Sequence, residues 1–227
     1  MKIDILTLFP EMFTALDSSI IGRAVKNGDL EINVINIRDF AHDKHKRCDD
    51  TPYGGGAGMV MMVEPIFKAI NSIKSDNSHV IYTSPRGKTL SQKVVRELAE
   101  KEHLIILCGH YEGVDERAIE LCVDEEISIG DYVLTGGEIP AMAITDSVSR
   151  YVAGVVKQAS LEEESFANGL LEYPQYTKPQ IFEGLEVPAV LLSGNHQEVD
   201  KWRLEQSRKI TKERRPDLLK GEENNEN

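Results

Sequence analysis

The 227-residue chain is poor in features that define several specialised classes of protein. Its three cysteines, Cys48, Cys108 and Cys122, form no CxxC pair, which argues against a disulfide framework and a cysteine zinc site. No apolar run approaches the roughly 20 residues that a membrane span requires. Residues 1–8 alternate like a strand, include Asp4 and have no small-residue cleavage site, so they do not resemble a signal peptide. We therefore expect a reduced, cytoplasmic protein without membrane insertion.

Acidic residues outnumber basic residues in the chain, which gives it a formal net charge of -12. Such a balance ordinarily counts against a nucleic-acid partner, because phosphates are bound by clustered Lys and Arg. The basic residues are nevertheless concentrated in residues 38–47 and 201–215, where only Glu205 and Glu213 interrupt the second cluster. Each cluster alone is typical of a solvated surface. Two such clusters, one before and one after the glycine-containing segment of residues 129–140, favour nucleic-acid binding.

Apolar runs and amphipathic segments alternate along the first two thirds of the chain. The runs lie near residues 3–8, 32–37, 80–82, 104–107 and 126–129, and helical patterns lie near residues 20–25, 65–73, 92–99 and 139–152. This alternation predicts an α/β fold with a mostly parallel sheet flanked by helices.

The composition changes after about residue 156. Residues 158–165 are polar and acidic, residues 173–179 are punctuated by proline, and residues 196–214 have a helical pattern. The last residues have nothing apolar to bury. We expect an α/β catalytic domain over residues 1–157, a linker over 158–180, a small helical domain over 181–220 and a disordered tail over 221–227.

The segment IGDYVLTGGEIP, residues 129–140, combines glycines, an aromatic residue and the start of a predicted helix. Gly136 and Gly137 have no side chains, so a flat or charged ligand could approach their amides. An alternative is that Thr135 and Glu138 simply form a capping box for the helix.

Two further segments, residues 83–87 and 108–113, also follow predicted strands. Ligands of α/β sheets bind outside the carboxyl ends of strands, so the three segments are expected to form one pocket. Glu112 could there meet a cationic group or a metal, or be an ordinary turn acid. Residues 54–58 are rich in glycine but lack the spacing of a dinucleotide-binding fingerprint, and residues 84–89 lack the spacing of a P-loop. The sequence therefore supports neither a Rossmann dehydrogenase nor a P-loop ATPase.

Longer motifs carry a resemblance to a known family. They are ILTLFP (5–10), DDTPYGGG (49–56), residues 109–117, residues 128–140, Ser165-Phe166, WRL (202–204) and RRP (214–216). In this order and over nearly the whole chain, they resemble the bacterial tRNA (guanine-37, N1)-methyltransferases of the SPOUT, or α/β-knot, superfamily. Ala57 and Asn195 depart from that pattern, where Pro and His are usual.

This resemblance implies a deep trefoil knot around the three segments, S-adenosyl-L-methionine as co-substrate and an obligate homodimer whose active site is shared between protomers. Arg150 would stabilise charge on guanine O6, although its spacing from Asp146 also fits a surface ion pair. Glu164, where the family usually has Asp, would remove the N1 proton, with Glu163 and Glu162 as alternatives. Glu112 would meet the methionine end of the cofactor or Mg2+.

The resemblance also implies the residues that contact the co-substrate and the tRNA. The expected cofactor-binding residues are Thr83, Pro85, Gly109, Tyr111, Glu112, Gly113, Ile129, Gly130, Asp131, Tyr132, Val133, Leu134, Gly136, Gly137 and Pro140. The expected tRNA-binding residues are Lys44, Lys46, Arg47, Asp50, Lys201, Arg203, Arg208, Arg214 and Arg215. The alternatives are a non-catalytic RNA-binding nucleoside sensor and a SPOUT methyltransferase acting on another RNA position.

Overall fold

The computed structural model describes residues 1–157, 160–161 and 164–221. The chain divides into two compact units, Met1–Val156 and Lys157–Asn227. Of the tail expected to be disordered, residues 222–227 lie outside the described residues. Within the described ranges, no helix is both long and apolar enough to cross a membrane.

The strands of the first unit are β1 (Lys2–Thr7), β2 (Glu31–Asn36), β3 (Asp49–Asp50), β4 (Val60–Met61), β5 (Ser78–Thr89), β6 (His103–Cys108) and β7 (Glu125–Ser128). Five of them form a parallel sheet at the centre of this unit, in the order β2-β1-β6-β5-β7. The short strands β3 and β4 pair with each other as an antiparallel hairpin. The predicted parallel α/β sheet is confirmed.

Helices cover both faces of the sheet, because the strands are apolar on both sides. The helices are α1 (Ser19–Asn27), α2 (Val63–Ile73), α3 (Gln92–Ala99), α4 (Glu116–Cys122) and α5 (Glu138–Ser149). Successive residues of β6 alternate between two buried clusters, with Leu104 and Ile106 in one and Ile105 and Leu107 in the other. The short helix α4 was not predicted, since it has only 7 residues and no long apolar stripe.

Strand β5 corrects one sequence-based prediction. Residues 83–87 were expected to be a loop, but the strand continues to Thr89 and its register with β7 shifts between Thr83 and Lys88. Gly87 lies so close to the β7 backbone that a Cβ would overlap the peptide between Glu126 and Ile127. The segment is therefore an irregular strand end rather than a free loop.

The second unit contains a small hairpin and one long helix. Strands β8 (Ile181–Phe182) and β9 (Leu185–Glu186) are antiparallel, and α6 spans His196–Arg214 as its pattern predicts. Leu171 N donates to Thr211 Oγ1 of α6 at 2.9 Å. Arg203 of α6 lies over the Tyr173 ring, 4.8 Å from its centroid. These contacts attach the proline-rich segment before the hairpin to α6.

Candidate active site

A cavity of about 370 Å³ opens at the carboxyl ends of β5, β6 and β7. This volume lies within the range of small-ligand sites. All three segments singled out from the sequence line it, so the prediction that they form one pocket is confirmed. Its lining residues are Tyr82, Thr83, Ser84, Pro85, Arg86, Gly109, His110, Tyr111, Glu112, Gly113, Val114, Glu116, Ile127, Ser128, Ile129, Gly130, Tyr132, Val133, Leu134, Thr135, Gly136, Gly137 and Pro140.

The segment after β6 forms the tight inner wall of this pocket. A Cβ on Gly109 would lie 2.8 Å from Cε2 of the Tyr82 ring, so only glycine fits there. Gly113 N donates to the His110 carbonyl at 3.1 Å, closing a turn in which Tyr111 has a φ of 60°. Burial raises the pKa of the Tyr82 hydroxyl, which keeps this group neutral and able to donate.

The segment after β7 crosses the ends of β5 and β6 before it enters α5. Gly137 N donates to the Gly109 carbonyl at 2.8 Å, and a Cβ at Gly137 would overlap Thr83 Oγ1. The Gly137 amide is thus used within the protein and does not face a ligand, contrary to the expectation from sequence. This glycine allows two pocket walls to touch.

The capping box expected at Thr135 and Glu138 is not formed. Gly137 is the N-cap of α5 and no side chain caps the helix. Instead Glu138 is only 2% exposed, and its Oε1 accepts a hydrogen bond from Thr7 Oγ1 of β1 at 2.8 Å. A carboxylate in the first turn is also favoured by the helix dipole. Glu138 therefore ties the start of α5 to the sheet.

Glu112 stands at the exposed edge of the pocket on the segment after β6. Its amide donates to the Met59 carbonyl at 2.9 Å. The side chain lies against Gly58, where an added Cβ would overlap the carboxylate. The carboxylate position thus depends on the glycine-rich loop between β3 and β4, for which the sequence provided no ligand-binding motif.

Charged and polar side chains absent from the predicted set also line the pocket. Arg86 donates to Glu116 Oε2 at 3.2 Å and to Glu126 Oε1 at 3.3 Å. The hydrogen bond to Glu116 raises the pKa of the Arg86 guanidinium. Nδ1 of His110 is buried and has no hydrogen-bond partner among the described residues. These residues lie within or beside the same three segments, and that proximity was the only signal for them.

The remaining predicted site residues lie apart from the cavity. Asp131 is not among its lining residues. Arg150 follows the last residue of the 12-residue helix α5, roughly 20 Å along the helix from Gly137 at 1.5 Å per residue. Arg150 is not among the residues that line this cavity, and its role at guanine O6 stays a prediction.

Glu164 lines a different cavity of about 210 Å³ in the second unit. This cavity also contains Glu172, Tyr173, Asp200 and Arg203. The alternative bases Glu162 and Glu163 lie outside the described residues. No cluster of three or more metal-ligating side chains occurs in the described ranges.

Most of the predicted tRNA-binding residues are exposed, but several are paired with carboxylates. Lys46 Nζ lies 2.5 Å from Asp39 Oδ1, and Arg47 Nε lies 2.5 Å from Asp43 Oδ2. In the second unit Arg215 pairs with Asp217 at 2.7 Å. The basic clusters are therefore less positive than the sequence count indicates, because acids just before or after the cations were not counted. The exposed residues are Lys44, Lys46, Arg47, Asp50, Lys201, Arg208, Arg214 and Arg215, whereas Arg203 is partly buried.

The sheet and the pocket define an α/β protein with a ligand site at the carboxyl ends of its parallel strands. A family model described as tRNA (Guanine-1)-methyltransferase TrmD matches residues 1–221. The chain belongs to this family, which confirms the resemblance inferred from its motifs.

Several relatives carry the name tRNA (guanine-N(1)-)-methyltransferase. The relative from Carboxydothermus hydrogenoformans is 62% identical over 222 residues, covering 97% of this chain and 88% of the relative. Those from Ruminiclostridium cellulolyticum and Clostridioides difficile are 57% and 55% identical, covering 96% and 97% of this chain and 96% and 98% of their own lengths.

Proposed function

We propose that the protein transfers the methyl group of S-adenosyl-L-methionine to N1 of guanine at tRNA position 37, next to the anticodon. The match of the tRNA (guanine-1)-methyltransferase family over residues 1–221 carries this proposal. The family implies S-adenosyl-L-methionine as co-substrate, and the names of its relatives specify the guanine N1 atom. A non-catalytic sensor or a different RNA position is not favoured, because these matches span nearly the whole chain.

The pocket of the first unit fits this co-substrate in size and chemistry. Its volume of about 370 Å³ suits a nucleoside with a short tail. Tyr132 and Val133 are 55% and 82% exposed, and both could be covered by an adenine ring. Glu112 offers a carboxylate to the ammonium group of the methionine end. We also assign to Glu112 any contact with Mg2+, a hard cation that prefers oxygen ligands.

The chemistry defines what the remaining site residues must do. N1 of guanine carries a proton at neutral pH and is a poor nucleophile, so a base must take that proton as the methyl arrives. In our proposal Glu164 is that base. Negative charge then develops on guanine O6, where the Arg150 guanidinium donates hydrogen bonds and lowers the energy of the transition state more than that of the ground state.

The position of Arg150 supports an active site shared between two protomers. Arg150 follows the far end of α5, roughly 20 Å along the helix from Gly137 at the pocket of its own chain. Among the residues of α5, only Pro140 lines the pocket, and Arg150 does not. We therefore propose a homodimer in which one protomer provides the cofactor pocket and its partner provides Arg150.

We assign each part of the chain a function from its membership of this family. Residues 1–157 form the catalytic domain, threaded as a deep trefoil knot around the pocket, and residues 158–180 form an interdomain linker that acts as a lid over the bound tRNA. Residues 181–220 form the helical tRNA-binding domain. Its cations and those of residues 38–47 hold the phosphates of the anticodon arm, while the flipped guanine is read in the active site. The protein acts in the cytoplasm, where tRNA is processed.

Methyl transfer to defined transcripts tests the target nucleotide. The purified protein and labelled S-adenosyl-L-methionine are incubated with tRNA transcripts that differ only at positions 36 and 37. We expect label in the transcript with guanine at both positions and background label when guanine 37 is replaced by adenine. Equal labelling of both transcripts would place the target elsewhere.

A further inference from the structure

The loop between β3 and β4 presents an aromatic side chain without any protein surface to cover it. Tyr53 in this loop is 100% exposed. An aromatic ring buries a large area and interacts through its faces when it meets another planar group. Full exposure of both faces gives a partner molecule access to the entire ring.

A β-turn holds Tyr53 at the corner of this loop. Gly55 N donates to the Pro52 carbonyl at 3.3 Å, and Gly54 has a φ of +86° at the third position of the turn. No atom would lie within 4 Å of a Cβ on Gly54 or Gly55. The space around the ring is therefore open enough for a flat ligand.

The β4 end of the loop is bonded to the pocket wall. Met61 N donates to the Gly113 carbonyl at 2.9 Å, and Asp115 N donates to the Met61 carbonyl at 3.0 Å. Glu112 N donates to the Met59 carbonyl at 2.9 Å. The base of the loop is thus part of the same structure that holds Glu112 at the cofactor pocket.

One guanidinium lies near this aromatic residue, and two further cations lie close to it in the chain. Asp115 and, to a smaller extent, Tyr53 raise the pKa of Arg117, so the phenol lies near that guanidinium. Exposed Lys44 and Arg47 precede β3 in the chain. An aromatic side chain beside cations is the combination by which proteins bind unpaired nucleotides, because bases stack on the ring and phosphates meet the cations.

We propose that Tyr53 stacks on an unpaired base of the anticodon loop adjacent to the guanine that enters the active site. This inference rests on the proposed function. Extrusion of a guanine removes the stacking partner of its neighbours, and the Tyr53 ring replaces that partner. Tyr53 thereby holds the RNA in the geometry that the flipped guanine requires.

RNA binding without methyl donor tests this inference. Anticodon stem-loops carrying 2-aminopurine at position 36 or 38 are titrated with the wild type, Tyr53→Ala, Tyr53→Phe and a control, Leu121→Ala, which shortens a 66% exposed side chain of α4. We expect Tyr53→Ala to weaken binding by a factor of about 5 to 150, since stacking on one base contributes about 1–3 kcal/mol. Tyr53→Phe and Leu121→Ala should bind like the wild type.

The fluorescence of 2-aminopurine identifies the stacked base. In the wild type and Tyr53→Phe, one of the two positions should be quenched, and this quenching should disappear in Tyr53→Ala. Unchanged RNA affinity in Tyr53→Ala, or a loss as large in Tyr53→Phe, would overturn the inference. A variant that binds RNA normally but loses S-adenosyl-L-methionine affinity would overturn it as well. The binding assay contains no methyl donor, so it tests stacking by Tyr53 independently of methylation. A negative result in this assay can therefore be distinguished from a wild-type protein that does not methylate tRNA.

Discussion

The residue with the most demanding proposed task is Glu164. Removing a proton from guanine N1 needs a carboxylate at a defined distance, and the family usually places the shorter Asp here. We predict that Glu164→Gln lowers the single-turnover rate by a factor of about 10²–10⁴, the usual contribution of general-base catalysis. Quench-flow with saturating tRNA measures this rate, and calorimetry should show unchanged affinity for S-adenosyl-L-methionine.

Glu164→Asp is the matched control for that variant, because it keeps the carboxylate and restores the usual family residue. It should retain most of the wild-type rate. Near-normal turnover in Glu164→Gln would instead move the base to another carboxylate. Glu172 lines the same cavity and is the first residue to test in that case.

Individual site residues could be located from the sequence better than their contacts could be explained. The positions of Gly109, Gly136 and Gly137 in the pocket wall were predicted correctly. The reason for Gly137 was not, because its close approach to Thr83 joins the start of α5 to β5, which is distant in the chain. Likewise, the bond between Thr7 and Glu138 spans 131 residues, and no local pattern reveals such a contact.

Among the structural elements, the loop between β3 and β4 has the clearest effect on the pocket. Gly58 has a φ of +84°, and a Cβ there would overlap the Glu112 carboxylate. We predict that Gly58→Ala displaces Glu112 and weakens S-adenosyl-L-methionine binding by about tenfold, equivalent to about 1.4 kcal/mol. Calorimetric titration of the purified variant measures this change.

Gly55→Ala is the control that distinguishes the effect of displacing Glu112 from the effect of backbone strain. Gly55 has a similar φ of +77°, but a Cβ there would meet no atom within 4 Å. Both variants should therefore lose similar stability on heating, of about 1–2 kcal/mol, while only Gly58→Ala loses cofactor affinity. Equal cofactor affinity in the two variants would mean that Glu112 does not contact the co-substrate.

Element types followed from periodicity where apolar residues recur over a full element. Helices α3 and α6 were predicted at the bounds observed, and four of the five strands of the large sheet near theirs. Strand β5 was predicted too short, since residues 83–89 contain Ser, Pro, Gly and Lys, which disfavour strands. Pairing with β7 stabilises this end, and a sequence pattern does not contain that tertiary contact.

For the whole molecule, the proposed homodimer makes a prediction that a single-chain site does not. Glu112→Ala removes a cofactor contact, and Arg150→Ala removes the proposed contact to guanine O6. If each site combines the pocket of one protomer with Arg150 of the other, mixed dimers of these two variants contain one complete site. Mixing and refolding the inactive variants in equal amounts should restore about a quarter of the wild-type rate, since about half of the dimers are mixed.

No recovery of activity in that mixture would place Arg150 and the pocket of the same chain in one site. Size-exclusion chromatography with light scattering is the control that both variants remain dimers. Wild-type protein mixed with Arg150→Ala calibrates the exchange of protomers. Because Arg150 lies at the far end of α5 from Gly137, we expect recovery.

The identity of the methylated atom tests the central proposal most directly. A tRNA transcript methylated by the wild type is digested to nucleosides and analysed by liquid chromatography and mass spectrometry against standards. We predict N1-methylguanosine as the product, and its absence after Glu164→Gln in a single-turnover time course. A 2'-O-methylated nucleoside, or no methylated guanosine, would contradict the proposed function.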